Sequence, residues 1–528
     1  MIGIIGIILI FIGFLISIVL LIASRNNHNV PSPKKNNGKY AILIPARNES
    51  KVIEDLLISI ENQTRKIKAG DVYVIVEDKN DPTVSIVHKH KMKIVFKKDL
   101  SLRRKGYALN DAVVEILDSG KKYDAYFIMD ADNVLDVDFV KNMEKSINAG
   151  YDIGIGYRNC KNGNDSVVAA ASALTFSMIN ELSNRKKLSD TRTLTISGTG
   201  FYIRGEVLEN LGGYPFHSLT EDYELTLYAV LNNLTTTYNC DAKFYDEQPI
   251  LYSKSITQRT RWIKGYFEAR RKYVRSIRGS ITRNDKNFAS KLTEVIGVKQ
   301  YILMVIGAVL YLISKFADIV IKADVVSNII RIVLFSLLIY MALVIFTAIL
   351  FILEDGKLNL SRKMKIKALF FNPIFLAGYV RCAVIALFNK NLGWEVIEHD
   401  RNLEKSNVQL WHNCVIIDSC LRGGMVDALD SKSNGSNTVS VQVRPQAPVV
   451  NLFELFELMI YEINRNDWFF SYLEKIIRKV GVYDKCYQER NWCRRIVKII
   501  CAFCNITSAI MSGNIKKVDK INLIYWSV

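Results

Sequence analysis

An α/β domain on a mostly parallel sheet, held to a membrane by apolar helices, is the architecture this sequence predicts. Three observations carry it. Met1 to Ala23 contains no charged residue. Between residue 36 and about residue 240, short apolar runs alternate with amphipathic stripes, as strands alternating with helices do. Two more long apolar runs follow, Tyr301 to Ile321 and Ile329 to Leu353.

Taken in order, the first element is a membrane helix, since about 20 apolar residues suffice to cross a bilayer. A cleaved signal peptide would need a basic start and a shorter apolar core, and this end has neither, so an uncleaved anchor is expected over residues 1–24. Arg25, Lys34 and Lys35 follow it, which puts the next domain in the cytoplasm. That domain is expected over residues 36–257. Tyr40 to Ile44 reads as a buried strand closed by Pro45. Ile53, Leu56, Leu57 and Ile60 then recur at helical spacing. Asp71 to Val76 and Lys93 to Phe96 are further strand runs. Leu109, Ala112, Val113, Ile116 and Leu117 form a second helical stripe, and Tyr126 to Met129 a fourth strand ending at Asp130. In such sheets ligands sit beyond the carboxyl ends of the strands.

From Gln258 to Lys291 the chain turns basic and aromatic, as helices lying on a membrane surface do; this interfacial segment is set at 258–298. The two spans occupy 299–353. Lys357, Arg362, Lys363, Lys365 and Lys367 follow and return the chain to the cytoplasm. Ala368 to Phe388 is apolar but broken by Pro373 and carries Arg381. An interfacial or re-entrant element within 364–405 is expected there.

The net charge is +18, which suits nucleic acid, anionic lipid or phosphorylated substrates. No nucleic-acid motif accompanies it, and beside apolar spans basic residues serve lipid headgroups. The nine cysteines show no disulfide spacing. Cys501 and Cys504 lack a second metal-ligand pair and read as a coincidence in an apolar helix.

Chemistry is carried by acidic clusters at strand ends. Asp130 and Asp132 follow a strand directly. Two carboxylates one residue apart can hold a divalent cation that neutralises a diphosphate leaving group, although a lone pair of this kind is more often a solvated turn. In Thr220-Glu221-Asp222 a carboxylate can serve as general base toward an acceptor hydroxyl; a capped helix start explains the same residues and is compatible with that role. Gln258-Arg259-Thr260-Arg261-Trp262 offers Arg261 for phosphate oxygens and Trp262 as a flat face for a sugar ring. Taken alone it reads as a snorkelling interfacial helix. Pro45, Arg47 and Glu49 follow the first strand, where they can contact a nucleotide. Glu77 and Asp78 end the second, within reach of a base or ribose. Arg104-Lys105-Gly106 puts cations before a helix, with a glycine that lets backbone approach a phosphate.

In this order the motifs resemble the processive family 2 glycosyltransferases, the cellulose, hyaluronan, chitin and poly-N-acetylglucosamine synthases. The resemblance covers roughly residues 38 to 405, with Ser197-Gly198-Thr199-Gly200 among its motifs. It implies a GT-A fold and transfer with inversion from a nucleoside-diphosphate sugar, UDP by preference, to a growing polysaccharide. It makes Asp222 the base, and Asp130 and Asp132 the ligands of Mg²⁺ or Mn²⁺ on the diphosphate. Gln258, Arg261 and Trp262 would line the acceptor and diphosphate site. One departure stands out: Glu77 and Asp78 compete where the family has an aspartate against uracil. Trp394, Ile397 and His399 resemble the closing tail, which puts the end of the domain near residue 405.

Single-sugar transfer to a lipid is the nearest competing function, since ceramide glucosyltransferases resemble the chain too. Only the paired spans argue for polymerisation. A degenerate, non-enzymatic membrane scaffold is disfavoured by the intact Asp130, Asp132, Asp222, Arg261 and Trp262.

Beyond about Asn407 the character changes. Val441-Gln442-Val443 can be written GTTCAAGTC, matching the T-arm of a transfer RNA gene, and Met425 to Leu429 can be written as a leucine-type D-arm. Residues 406–528 are therefore expected to be a read-through extension. An ordinary Ser/Asn/Gly linker fits the composition as well, and the helical spacing of Leu452, Leu455, Phe456 and Met459 leaves room for a helical domain.

Overall fold

The computed structural model describes residues 2–23, 38–185, 193–282, 287–296, 300–322, 325–354 and 357–389. The expected closing tail around Trp394 and the extension 406–528 lie outside them. The chain divides into two units. One comprises Met1–Val333 and Leu343–Val415; of the other, only Leu334–Ala342, a stretch of one apolar helix, is described.

The first unit is built on eight strands in the order β3-β2-β1-β4-β7-β6-β8-β5. The strands are β1 (Tyr40–Pro45), β2 (Val72–Val76), β3 (Lys93–Phe96), β4 (Ala125–Ile128), β5 (Val134–Leu135), β6 (Ile153–Cys160), β7 (Phe201–Arg204) and β8 (Thr236–Asp246). β1, β2, β3 and β4 are parallel, as the alternating pattern predicts. β7 runs antiparallel to β4 and β6, and β5 antiparallel to β8. β6 pairs parallel with β8, so among the described residues four of the seven pairings are parallel and three antiparallel.

Both faces are covered, so the central strands read as continuous apolar runs. Ile42 and Ile44 of β1 face the helices α2 (Ile53–Glu61) and α3 (Thr83–Lys89), while Ala41 and Leu43 face α4 (Lys105–Asp118). In α2 the stripe Ile53, Leu56, Leu57 and Ile60 is fully buried, each side chain contributing roughly 1.5–3 kcal/mol. The helices α5 (Phe139–Asn148), α6 (Val167–Met178), α7 (Gly205–Leu211) and α8 (Glu221–Leu231) complete the layers.

Six more α-helices complete the described residues. The long helix α9 (Tyr252–Gly279) carries Gln258 to Trp262 and leads to α10 (Phe288–Ile296). The apolar helices are α1 (Ile2–Ala23), α11 (Gln300–Lys322), α12 (Val325–Leu353) and α13 (Arg362–Phe388). All four are long and apolar enough to cross a membrane. α1 packs along α11, with Gly6 and Gly307 in backbone contact.

The expected break at Pro373 does not occur. α13 is one helix of 27 residues with Pro373 inside it. It starts earlier than the apolar run, capped by Ser361, whose hydroxyl accepts from Met364 N at 3.2 Å. Proline removes one intrahelical hydrogen bond, and packing on both sides holds the turn. Asn372 and Pro373 are buried, and Asn372 Nδ2 donates to Thr347 Oγ1 of α12 at 3.0 Å.

Candidate active site

β1 lies between β2 and β4, so the carboxyl ends of these three strands are neighbours. The segments leaving them open onto one cavity of about 610 Å³. Pro45, Arg47 and Glu49 line it after β1, Glu77 after β2, Lys105 at the start of α4, and Asp130 and Asp132 after β4. Gln258 and Arg261 reach it from α9.

The competition at the end of β2 resolves in the geometry. Glu77 faces the cavity and pairs with Arg47 Nε at 2.9 Å. Asp78 is exposed and closes a turn, accepting from Asn80 N at 2.7 Å. Gly106 also lies outside the lining, and its role is close approach. A Cβ there would sit 1.8 Å from Phe216 O.

Asp130 is held through its backbone. Its N–H donates to Thr199 Oγ1 at 2.8 Å and to Asn133 Oδ1 at 3.1 Å. Its carboxylate accepts from Lys105 Nζ at 2.6 Å, and the same ammonium meets Gly198 O at 2.7 Å and Glu221 Oε1 at 3.5 Å. Burial opposes the Lys105 charge, but Asp130 and Glu221 more than offset this and hold its pKa above the ordinary value. Lys105 thus joins the cavity wall to the start of α8.

Glu221 and Asp222 sit behind that lysine. Burial pushes Glu221 up to about 7, with Lys105 pulling it down and Asp222 pushing it further up. Burial raises Asp222 as well, against the N–H groups of Tyr223 and Gly198 and the charges of Lys105 and Arg158. An aspartate raised in this way is a better proton acceptor than a solvated one. The half-buried Trp262 sets its ring against Phe176, centroids 6.0 Å apart and edge-on.

Several residues of this region carry no sequence signal. Arg158 lies over the Phe176 ring at 3.7 Å and grips Asp246 with Nε at 2.8 Å and Nη2 at 2.5 Å. Asp246 in turn accepts from Gln248, which lines the cavity. Asp81, buried, accepts from Asn48 N at 3.0 Å and so shapes the loop after β1. Arg259, the second residue of the Gln258–Trp262 motif, is 1% exposed. Its Nη1 donates to Phe375 O at 2.6 Å, and its guanidinium lies among Phe375, Tyr379 and Tyr252. It clamps α9 to α13.

Among the described residues no cluster of three or more His, Cys, Asp or Glu could hold a metal by itself. A cation carried with a diphosphate needs only one or two carboxylates, the rest of its shell being phosphate and water. Asp130 and Asp132 border a cavity that Lys97, Arg103, Lys105 and Arg261 also line. That donor set fits Mg²⁺ or Mn²⁺ bound together with a nucleoside diphosphate.

Comparisons with known proteins bear on the domain that carries this cavity. The family described as "Glycosyltransferase like family 2" matches residues 37–265. The "Probable glycosyltransferase YdaM" of Bacillus subtilis (strain 168) is 27% identical over 258 residues, 45% of this chain and 58% of that protein. The chain thus spans little more than half the length of that relative. Among solved structures, the mannosyltransferase PcManGT from Pyrobaculum calidifontis, in complex with GDP-Man and Mn²⁺, superposes with a TM-score of 0.50 at 15% identity. The match covers 74% of this chain and all of that one, and shows a shared fold. Residues 37–265 therefore match a family 2 glycosyltransferase domain and share a GT-A-like α/β fold.

Proposed function

We propose that the chain transfers a sugar, with inversion, from a nucleoside-diphosphate sugar to a growing polysaccharide at the cytoplasmic face of a membrane. The observation that supports this best is the joining of three strand ends and α9 in one cavity with cationic and acidic walls. Arg261 and Lys105 supply charge for the diphosphate, and Glu77 with Arg47 borders the place of the base and ribose. The metal, held by Asp130 and Asp132, would neutralise the diphosphate as it leaves. Asp222 takes the proton of the acceptor hydroxyl; that oxygen forms a bond to the anomeric carbon as the bond to the diphosphate breaks. Gln258, on the cavity wall, and Trp262, beside it on α9 and against Phe176, are the residues proposed for the acceptor.

UDP is the nucleotide that the resemblance implies, while PcManGT was solved with GDP-Man. The basic residues after α1 and at the start of α13 support a cytoplasmic domain. Polymer growth rests on the apolar helices that follow the domain.

The test is turnover of a panel of UDP- and GDP-sugars with Mg²⁺ or Mn²⁺ in membranes containing the full chain, with the product sized. Release of nucleoside diphosphate with a long product is the expected result. A single sugar on a lipid would replace polymerisation by glycolipid synthesis. No turnover of any donor would remove the reading.

A further inference from the structure

The segment Gly213–Thr220, which leads into α8 and so to Asp222, is gripped from two sides. On the α4 side Tyr107 stacks on His217, centroids 4.1 Å apart at 15°. Arg104 Nη1 donates to His217 O at 2.8 Å. On the α9 side Gly265 packs directly on Thr220; a Cβ there would lie 2.5 Å from Thr220 Cγ2. Glu268 accepts from Leu219 N at 3.3 Å with one oxygen and from Arg104 at 2.6 Å with the other. Lys272 meets Glu224 Oε1 at 2.5 Å, and the other Glu224 oxygen takes His217 N and Ser218 N at 3.0 and 2.8 Å.

Gln258, Arg261, Gly265, Glu268 and Lys272 follow one another at steps of three and four, hence along one stripe of α9. One end of the stripe lines the cavity and the other holds the segment before Asp222.

We infer that Glu268 and Lys272 are positioning residues that aim Asp222 at the acceptor hydroxyl, so that the helix forming the cavity wall also sets the geometry of the base. The inference deepens the reading of Asp222 as the base and rests on it. A general base works only within hydrogen-bond reach, and a displacement of about 1 Å can cost 10²-fold in rate. Glu268 and its partner Arg104 are 40% and 36% exposed in their side chains, and an exposed ion pair adds little to stability. Lys272 is 57% exposed but its partner Glu224 only 1%, so its removal leaves a buried carboxylate on two backbone N–H groups. A purely structural role therefore predicts almost no effect of Glu268→Ala and a loss of thermal stability alone for Lys272→Ala, whereas positioning predicts a loss of rate in both. Neither residue borders the cavity.

The experiment is Glu268→Ala and Lys272→Ala in the full-length protein, with the donor and metal that the panel selects, and UDP or GDP alone as the binding probe. The expected result is a fall in kcat of roughly 10- to 100-fold, with donor KM and nucleotide affinity within about twofold of wild type. Glu268→Gln, which keeps an oxygen for Leu219 N, should recover much of the loss. Wild-type kcat in both alanine variants, or a loss of nucleotide affinity equal to the loss of rate, overturns the inference while the transferase reading stands. A wild-type protein inert toward every donor overturns that reading, and this inference with it.

Discussion

Lys105 Nζ lies 2.6 Å from Asp130 Oδ1, which ties the first residue of α4 to the first carboxylate after β4. Each charge stabilises the other, and a donor diphosphate arriving with its cation would enter between groups already set to receive both signs. Under the proposed function Lys105 would then turn toward phosphate oxygen, and Asp130 toward the cation.

Asp132→Ala is accordingly expected to lower donor affinity and abolish stimulation by Mg²⁺ or Mn²⁺. Donor binding titrated with and without excess EDTA checks this. Wild-type turnover undiminished in EDTA would contradict a metal role for Asp130 and Asp132.

Asp222→Asn should cost the transfer rate about 10²- to 10⁴-fold, the usual worth of a positioned base. Nucleotide affinity should stay near wild type, since Asp222 lies behind Lys105 and outside the cavity lining. Paired measurements of kcat and UDP binding decide it, and a variant keeping most of its rate rules this base out.

The pH dependence follows from the sign of the shifts. The base works deprotonated, and burial raises Asp222 above the ordinary aspartate value of about 3.9. Transfer should therefore fall as pH falls, at a higher pH than for a solvated aspartate, with Glu221 titrating up to about 7 beside it. Glu221, pushed up to about 7, is already protonated and neutral over the acid limb, so Glu221→Gln should leave the acid limb of kcat/KM in place. A limb that moves in that variant would show that Glu221 itself sets it.

Arg259→Ala should destabilise the protein by about 2–4 kcal/mol, through a lost buried hydrogen bond and the void left among three aromatic rings. Thermal unfolding of the detergent-solubilised protein measures this. Arg259→Lys should restore little, because an ammonium lacks the planar fork that reaches Phe375 O while stacking on the rings.

The parallel half of the sheet was legible because buried strands and amphipathic helices write different periods into the chain. The runs Tyr40 to Ile44 and Tyr126 to Met129 lie side by side in parallel, Leu43 opposite Ile128, and Pro45, Glu77 and Asp130 stand where β1, β2 and β4 end. The half made of β5, β6, β7 and β8 was not legible. β5 is two residues, too short to leave a period, and the reversal of β7 against β4 and β6 is recorded in no local pattern. Site residues were readable where the chemistry needs a local motif, as at Asp130 and Asp132. Arg158 and Asp246 are 88 positions apart, so only folding brings them together. Pro373 misled because helix-breaking is a local expectation, and Asn372 and Thr347 supply the support from another helix.

The contact between Gly6 and Gly307 has a consequence in time. α1 leaves the ribosome before its partner α11, which is synthesised some three hundred residues later. At about 5–20 residues per second, that interval is on the order of 15–60 s. The whole sheet-bearing domain emerges and can fold during it, while the first helix waits without the neighbour whose backbone it will touch. A substituent as small as a methyl group at either glycine would leave the wait unchanged and spoil its end, since a Cβ at Gly6 falls 2.5 Å from Gly307 O. Assembly of this pair is thus a late meeting between an older segment and a younger one.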